Sequence, residues 1–362
     1  MTEDRHVSRE RDGTNNSEPS MRAVVLSMTD VSKRFRVRSG LMRARQDVHA
    51  VDGVTLEVEA GETLGIVGES GSGKSTLARI MVGLEKPTSG SLVVGFMGED
   101  TLPLDQKKFP KREAYAQMVF QDPSSSLDPR MSIGASVAEP LIGIGKKSRR
   151  TSVKEMLSLV NLEPGTFERY PHQLSGGQQQ RACIARALIA GTKLVIYDEA
   201  LSSLDVSLQA QVVNLLEELQ SKLDLTYVFI SHDLAVVEAF ATRTAVMYLG
   251  KMVELGPSEE IRLNSLHPYT VALRSSVPVP NPEVERKRER IVLRGEVGSS
   301  LKPPSGCRFH PRCPLAEEIC RETEPKFIEY LPGHWSACHF SSNWAGIRED
   351  HPQSLQQIMA VK

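Results

Sequence analysis

Residues 68–76 read GESGSGKST. Glycines at 68, 71 and 73, with Ser70 between them, let a backbone turn tightly enough for successive N–H groups to point inward at anionic oxygens. Lys74 follows as a point charge for the β- and γ-phosphates of a nucleoside triphosphate, and Ser75 as a hydroxyl ligand for Mg²⁺. A helix starting at Thr76 aims its positive end at the same anion. Further along, LVIYDE at 194–199 brings two carboxylates to the end of an apolar run. Asp198 has the chemistry to hold Mg²⁺ through its water shell, and Glu199 to polarise an attacking water as a general base. Alone, such a pair is more often an acidic helix start set against the dipole; beside a phosphate loop it reads as catalytic. His232, in FISHD, ends the next apolar run. A lone histidine is ordinarily structural, but at a strand end it has the reach to sense a terminal phosphate and orient water.

These residues need elements to hold them. Short strands and turns are read from about residue 22, ending in TLGIVG, which feeds the glycine loop. After the loop, Leu77, Ile80, Met81 and Leu84 fall at i, i+3, i+4 and i+7, one stripe of an amphipathic helix. SGSLVVGF returns to strand. A mainly helical block follows, about 122–190, interrupted by GIGKKSRR. KLVIYDEA and TYVFISHD are short continuous apolar runs, as strands buried on both faces should be, with a helix between them. Alternating strands and helices around a phosphate loop predict an α/β fold, a mostly parallel sheet with helices on both faces and a helical insertion. The expected organisation is a tail over 1–21, a nucleotide-binding domain over 22–265, a small cysteine-containing C-terminal domain over 266–345 and a tail over 346–362.

The chain has 362 residues, 25% of them charged, and a formal net charge of −1. It is long enough for two domains, and that balance gives no broad field to concentrate nucleic acid. The compact basic run RKRER at 286–290 reads as a solvated linker. No apolar run reaches the length of a bilayer span, and the first twenty residues have no apolar core of a secretory signal. The expectation is a soluble, unexported protein.

A second stretch, LSGGQQQRACIARAL at 174–188, also looks built for phosphate oxygens. Ser175, Gly176 and Gly177 precede a helix, and helix N-termini bind anions. One triphosphate needs one cradle, so a capped helix start is the plain reading. Taken together, GESGSGKST, LSGGQ, LVIYDE and FISHD resemble ATP-binding-cassette (ABC) ATPases over roughly residues 22–345. The resemblance implies a P-loop NTPase core with an antiparallel β subdomain, ATP and Mg²⁺ as ligands, and two subunits packed head to tail. Ser175, Gly176, Gly177 and Gln178 would then face the γ-phosphate held by the opposite subunit. It further implies that Phe35 stacks on adenine, that Gln121 touches Mg²⁺ and links the site to the helical insertion, and that Asp205 crosses the dimer interface. Ala200-Leu201 stands where the family usually has Pro-Thr or Pro-Val, which alters the turn and removes no catalytic group.

HPYTVALRSSVP at 267–278 and the insert RSGLMRARQDVHAVDGV resemble the F-type ATPase subunit of bacterial oligopeptide/dipeptide importers. That branch implies an ATPase partnered by a second, non-identical ATPase subunit, two transmembrane permease subunits and, indirectly, an extracytoplasmic solute-binding protein. The chain would sit peripherally on the cytoplasmic face of the bacterial membrane, with no nucleic-acid partner. Nickel or another solute stays open as cargo. A soluble ABC ATPase acting on nucleic acid or ribosomes is the other class, but the chain carries one cassette and no heptad insert.

Of five cysteines, Cys183 falls in an apolar helical pattern and reads as a buried thiol. Cys307, Cys313, Cys320 and Cys338 crowd into 32 residues with spacing C-x5-C-x6-C-x17-C. In an unexported chain disulfides are improbable, and four close thiols point to a metal. Without C-x2–4-C pairs, a [4Fe–4S] cluster is the expectation ahead of zinc; four reduced thiols in a small proline-rich fold are the alternative. Their distance along the chain from the motifs assigns them no hydrolytic role.

Overall fold

The computed structural model describes residues 23–39, 44–95, 102–103, 115–141, 143–277, 286, 291–296 and 298–344. Both expected tails and nearly all of the basic run at 286–290 lie outside these residues. The chain opens with strands β1 (Val24–Ser39) and β2 (Ala44–Glu59), antiparallel from Val24↔Glu59 to Ser39↔Ala44. Each strand has 16 residues, where sequence periodicity predicted short ones. The reason lies in the register shifts between Met28 and Arg34 and the left-handed φ of 51° at Asp30. They break the inside–outside alternation without breaking the pairing.

β3 (Thr63–Val67) is buried along its whole length, and helix α1 (Lys74–Met81) starts seven residues after it ends. Leu77, Ile80 and Met81 are buried as their spacing predicts, but Leu84 is 63% exposed. The helix stops at Met81, and Gly83 at φ 74° turns the chain before Leu84 can join the stripe. β4 (Ser89–Val94) then returns beside β1, and β5 (Leu102–Pro103) beside β4, completing a four-stranded antiparallel sheet.

β6 (Ala116–Val119) leads into the helical block α2 (Pro123–Ser126), α3 (Ile133–Val137), α4 (Lys146–Leu159) and α5 (Gly176–Leu188). Then come β7 (Leu194–Asp198), α6 (Val206–Leu223), β8 (Thr226–Ser231), α7 (Leu234–Phe240), β9 (Arg243–Tyr248), β10 (Lys251–Pro257), α8 (Ser258–Leu263) and α9 (Pro268–Ser275). After turns and a short helix at Glu318–Glu322, β11 (Ile328–Leu331) and β12 (His334–Ser336) close the sheet. Its order is β11-β12-β10-β9-β3-β8-β7-β6. The run β9-β3-β8-β7-β6 is parallel, and the other three strands are antiparallel additions.

Alternation along the central strands separates two cores. Tyr197, Tyr227 and Phe229 turn to the face carrying α3–α7. Ile196, Val228 and Ile230 turn to the face covered by α1 and the antiparallel sheet. Each such side chain, fully buried, is worth roughly 1.5–3 kcal/mol, which fixes the strand order around the loop. The C-terminal residues are tied into this frame, since β12 pairs with β10 (Glu254↔Ser336, Leu255↔Trp335). Below that pairing, buried Glu254 accepts from His334 Nε2 at 2.8 Å and from the amides of Leu266 and His267 at 2.6 and 3.1 Å.

Candidate functional site

Parallel β3, β8, β7 and β6 end together, and in open α/β sheets the crevice beyond the carboxyl ends is where ligands bind. The register puts Val67 beside Ser231, Ile230 beside Asp198 and Tyr197 beside Val119. Gly68, His232, Asp198, Glu199 and, past Phe120, the exposed Gln121 therefore share one rim.

The loop from Gly68 to Gly73 wraps the start of α1. At Gly73 (φ 104°) a Cβ would meet the Ala50 carbonyl oxygen at 2.1 Å, so both the backbone angle and the close approach of β2 demand glycine. At Gly71 no atom lies within 4 Å of a Cβ position, which leaves the mouth of the loop open; exposed Ser70 lies beside it. Lys74 is buried and donates to the carbonyls of Gly68 (2.7 Å) and Glu69 (3.0 Å) and to Ser72 Oγ (3.4 Å). Burial lowers its pKa, opposed by the carboxylates of Glu199, Asp198 and Glu69. The ammonium is thus already aimed at oxygens inside the loop. Thr76 lies in the first turn of α1.

Ser75 Oγ donates to Asp198 Oδ1 at 2.9 Å. Burial raises the Asp198 pKa, and the Ser75 hydrogen bond pulls the other way. A hydroxyl beside a carboxylate is the hard-oxygen donor set that Mg²⁺ prefers, so the pair fits that ion. Glu199 has φ 49°, an unusual left-handed angle for a non-glycine residue. Its amide donates to the Ile230 carbonyl at 2.9 Å. That turn lifts its carboxylate to 3.4 Å from His232 Nδ1. Ala200 and Leu201, in place of the family's proline-led pair, are buried behind it.

Other predicted residues lie elsewhere. Ser175 caps α5 in a reciprocal box with Gln178: its amide donates to Gln178 Oε1 at 3.0 Å and its Oγ accepts from the Gln178 amide at 3.4 Å. Gly176 and Gly177 lie against Leu204 and Leu208, and Asp205 caps α6 by accepting from the Leu208 amide at 2.9 Å. These helix starts back onto each other. Phe35 stands on β1, paired opposite Val48, with the Lys33 ammonium 5.0 Å from its ring centroid.

Neither the [4Fe–4S] expectation nor the zinc alternative finds support among the described residues. All five cysteines are free thiols, and among the described residues no three His, Cys, Asp or Glu side chains are grouped to hold a metal ion. Burial pushes Cys307 up to about 11 and Cys313 and Cys338 to about 12. Cys313 lies against Val271, Ala272 and Leu315.

Sequence reasoning missed the contacts of the same segment with the phosphate loop. Phe309 is buried in an aromatic nest, 5.4 Å between centroids from both Tyr248 and Tyr269. On one side of it Arg308 donates to the Leu249 carbonyl and the Asp52 carboxylate. On the other, Arg312 grips the Glu69 carboxylate with two bonds of 2.7 and 3.1 Å. The Glu69 amide donates to the Tyr269 hydroxyl oxygen at 2.8 Å. Nothing local to residue 69 or 312 announces this pairing.

Residues 51–202 match the family described as ABC transporter, and residues 253–320 the family described as oligopeptide/dipeptide transporter, C-terminal region. The chain is similar to the oligopeptide transport ATP-binding protein AppF of Bacillus subtilis, 51% identical over 323 residues, 88% of this chain and 98% of that protein. It is 48% identical to the oligopeptide transport ATP-binding protein OppF of Salmonella typhimurium over 84% of this chain and 92% of that protein. With the di/tripeptide transport ATP-binding protein DppF of Pseudomonas aeruginosa it shares 44% identity, over 89% and 99% respectively. Among solved structures, a dimeric bacterial ABC transporter cassette, MJ0796, superposes with a TM-score of 0.56 at 29% identity, covering 64% of this chain and 98% of that one.

Proposed function

This chain belongs to the ATP-binding subunits of ABC transporters, in the oligopeptide/dipeptide group, and is an ATPase; from that premise we propose that it powers import of oligopeptides or dipeptides across a bacterial membrane. The observation that carries the reading is the meeting, at adjoining strand ends, of Lys74, the Ser75–Asp198 pair and the Glu199–His232 pair. On this reading the loop amides and Lys74 hold the β- and γ-phosphates, and Phe35 stacks on the base. Ser75 and Asp198, with Gln121, would hold Mg²⁺, which when bound neutralises charge on the phosphates. Glu199 takes the proton of the attacking water, and His232, 3.4 Å away, keeps that carboxylate oriented.

Ser175, Gly176, Gly177 and Gln178, at a helix start whose first two residues are exposed, close over the nucleotide of a second ATPase subunit of non-identical sequence, with Asp205 at the seam. No helix among the described residues is long and apolar enough to cross a membrane, so transport requires separate permease subunits. The chain docks peripherally on them at the cytoplasmic face, and a solute-binding protein delivers the cargo from outside. The test is co-purification from membranes. The chain should co-elute with two permease subunits and a second ATPase, and peptide-loaded binding protein should raise ATP turnover in the reconstituted assembly. Stimulation by nickel alone would move the cargo, and elution with ribosomes or nucleic acid would overturn the transport reading.

A further inference from the structure

Glu69 is an odd residue for a phosphate cradle. A carboxylate in the loop that receives a triphosphate repels it, at a strength set by distance and by a low local dielectric. The loop nevertheless holds Glu69 at three points. Its carbonyl takes the Lys74 ammonium at 3.0 Å, its amide donates to the Tyr269 hydroxyl at 2.8 Å, and its carboxylate is forked by Arg312 at 2.7 and 3.1 Å. The Arg312 side chain is 9% exposed and that of Glu69 27%, so solvent screens this pair in part and from the carboxylate side. Two parallel charge-assisted bonds fix direction as well as charge. Both clamps come from the C-terminal region: Tyr269 from α9, and Arg312 from the turn whose Phe309 is seated between Tyr248 and Tyr269.

We propose that Arg312 is a positioning residue for the nucleotide site: by neutralising Glu69 and holding its side chain back, it makes the phosphate loop receptive to a nucleoside triphosphate, and so makes the C-terminal region part of the ATP site. The inference rests on the ATP-binding reading of the loop. It explains why the C-terminal segment is pinned to the loop's second residue. It also gives that segment a route to affect nucleotide affinity, because any displacement of residues 307–313 carries the guanidinium away from Glu69.

The experiment is a charge cycle on the full chain, reading the Kd for Mg²⁺ with a non-hydrolysable ATP analogue, and the melting temperature of each variant. Arg312→Ala leaves Glu69 uncompensated and should weaken binding by about tenfold, the order of one lost charge contact at this burial. Adding Glu69→Gln to that variant should bring affinity back to within about threefold of wild type, a rescue that packing alone does not produce. Arg312→Lys keeps the charge but loses the fork, and should fall between. Should Arg312→Ala fail to fold, Arg312→Gln with and without Glu69→Gln gives the same comparison. Equal affinity in wild type and Arg312→Ala, or a double variant as weak as the single one, overturns the proposal. Failure of the wild-type chain to bind the analogue would instead sink the ATP-binding reading itself.

Discussion

Replacing His267 by asparagine isolates one buried titration whose consequence can be worked out beforehand. The imidazole is 1% exposed, and burial pushes it down to about 4 from an ordinary 6.5, with only the Glu254 carboxylate pulling it up. Neutral in the fold, its Nδ1 accepts from the Tyr269 amide at 3.1 Å and caps α9. The unfolded chain takes up this proton near its ordinary value while the folded chain resists until about 4. The stability tied to neutral burial is therefore complete above pH 6.5 and is lost as pH falls toward 4. By linkage, a group moved from 6.5 to about 4 forfeits about 2 kcal/mol by pH 5 and on the order of 3 kcal/mol below pH 4. Set against ~5–15 kcal/mol for a typical domain, that is a large share. Asparagine retains a capping acceptor at this position without the proton site. Urea unfolding of both proteins at pH 7.5, 6.5, 5.5 and 5.0 should show wild type losing about 2 kcal/mol more than His267→Asn over that range. Other buried acids and bases contribute equally to both curves and cancel. Parallel curves would refute the assignment of the proton uptake to His267.

Two further outcomes concern the nucleotide site. Glu199→Gln keeps the size of the side chain and the amide bond to Ile230; it should retain ATP binding while turnover falls by roughly 10²–10⁴-fold, and unchanged turnover would remove Glu199 from the chemistry. Asp198→Asn should raise the melting temperature of the nucleotide-free chain at neutral pH, because burial raises the Asp198 pKa and its charged form is carried there at a cost. That cost is full above the raised folded value, shrinks as pH falls through it and is gone below the unfolded value. The same variant should lose Mg²⁺-dependent turnover, and a lower melting temperature with normal activity would contradict both expectations.

Legibility followed the range over which each feature is specified. The phosphate loop, the Asp198–Glu199 pair and His232 were readable because a strand, a turn and a helix start are coded within a few residues, and parallel strand ends gather them without further instruction. The antiparallel hairpin was misread in length because Asp30 interrupts the alternation that periodicity depends on. Leu84 fell off its stripe because Gly83 ends the helix, a backbone choice that an apolar count does not register. The cysteine spacing measures how many thiols share a segment, whereas ligation depends on which way each Cα–Cβ bond points, and no local pattern carries that. Arg312 and Glu69 are 243 positions apart, and neither residue is unusual where it stands. Their pairing is set by β9, which carries Tyr248, pairing with β3 and by the pocket that Tyr248 and Tyr269 make for Phe309. A phosphate loop is in this sense an unfinished motif: the short code specifies the amides and the lysine, and the sheet order decides which distant side chain balances the charge the loop brings with it.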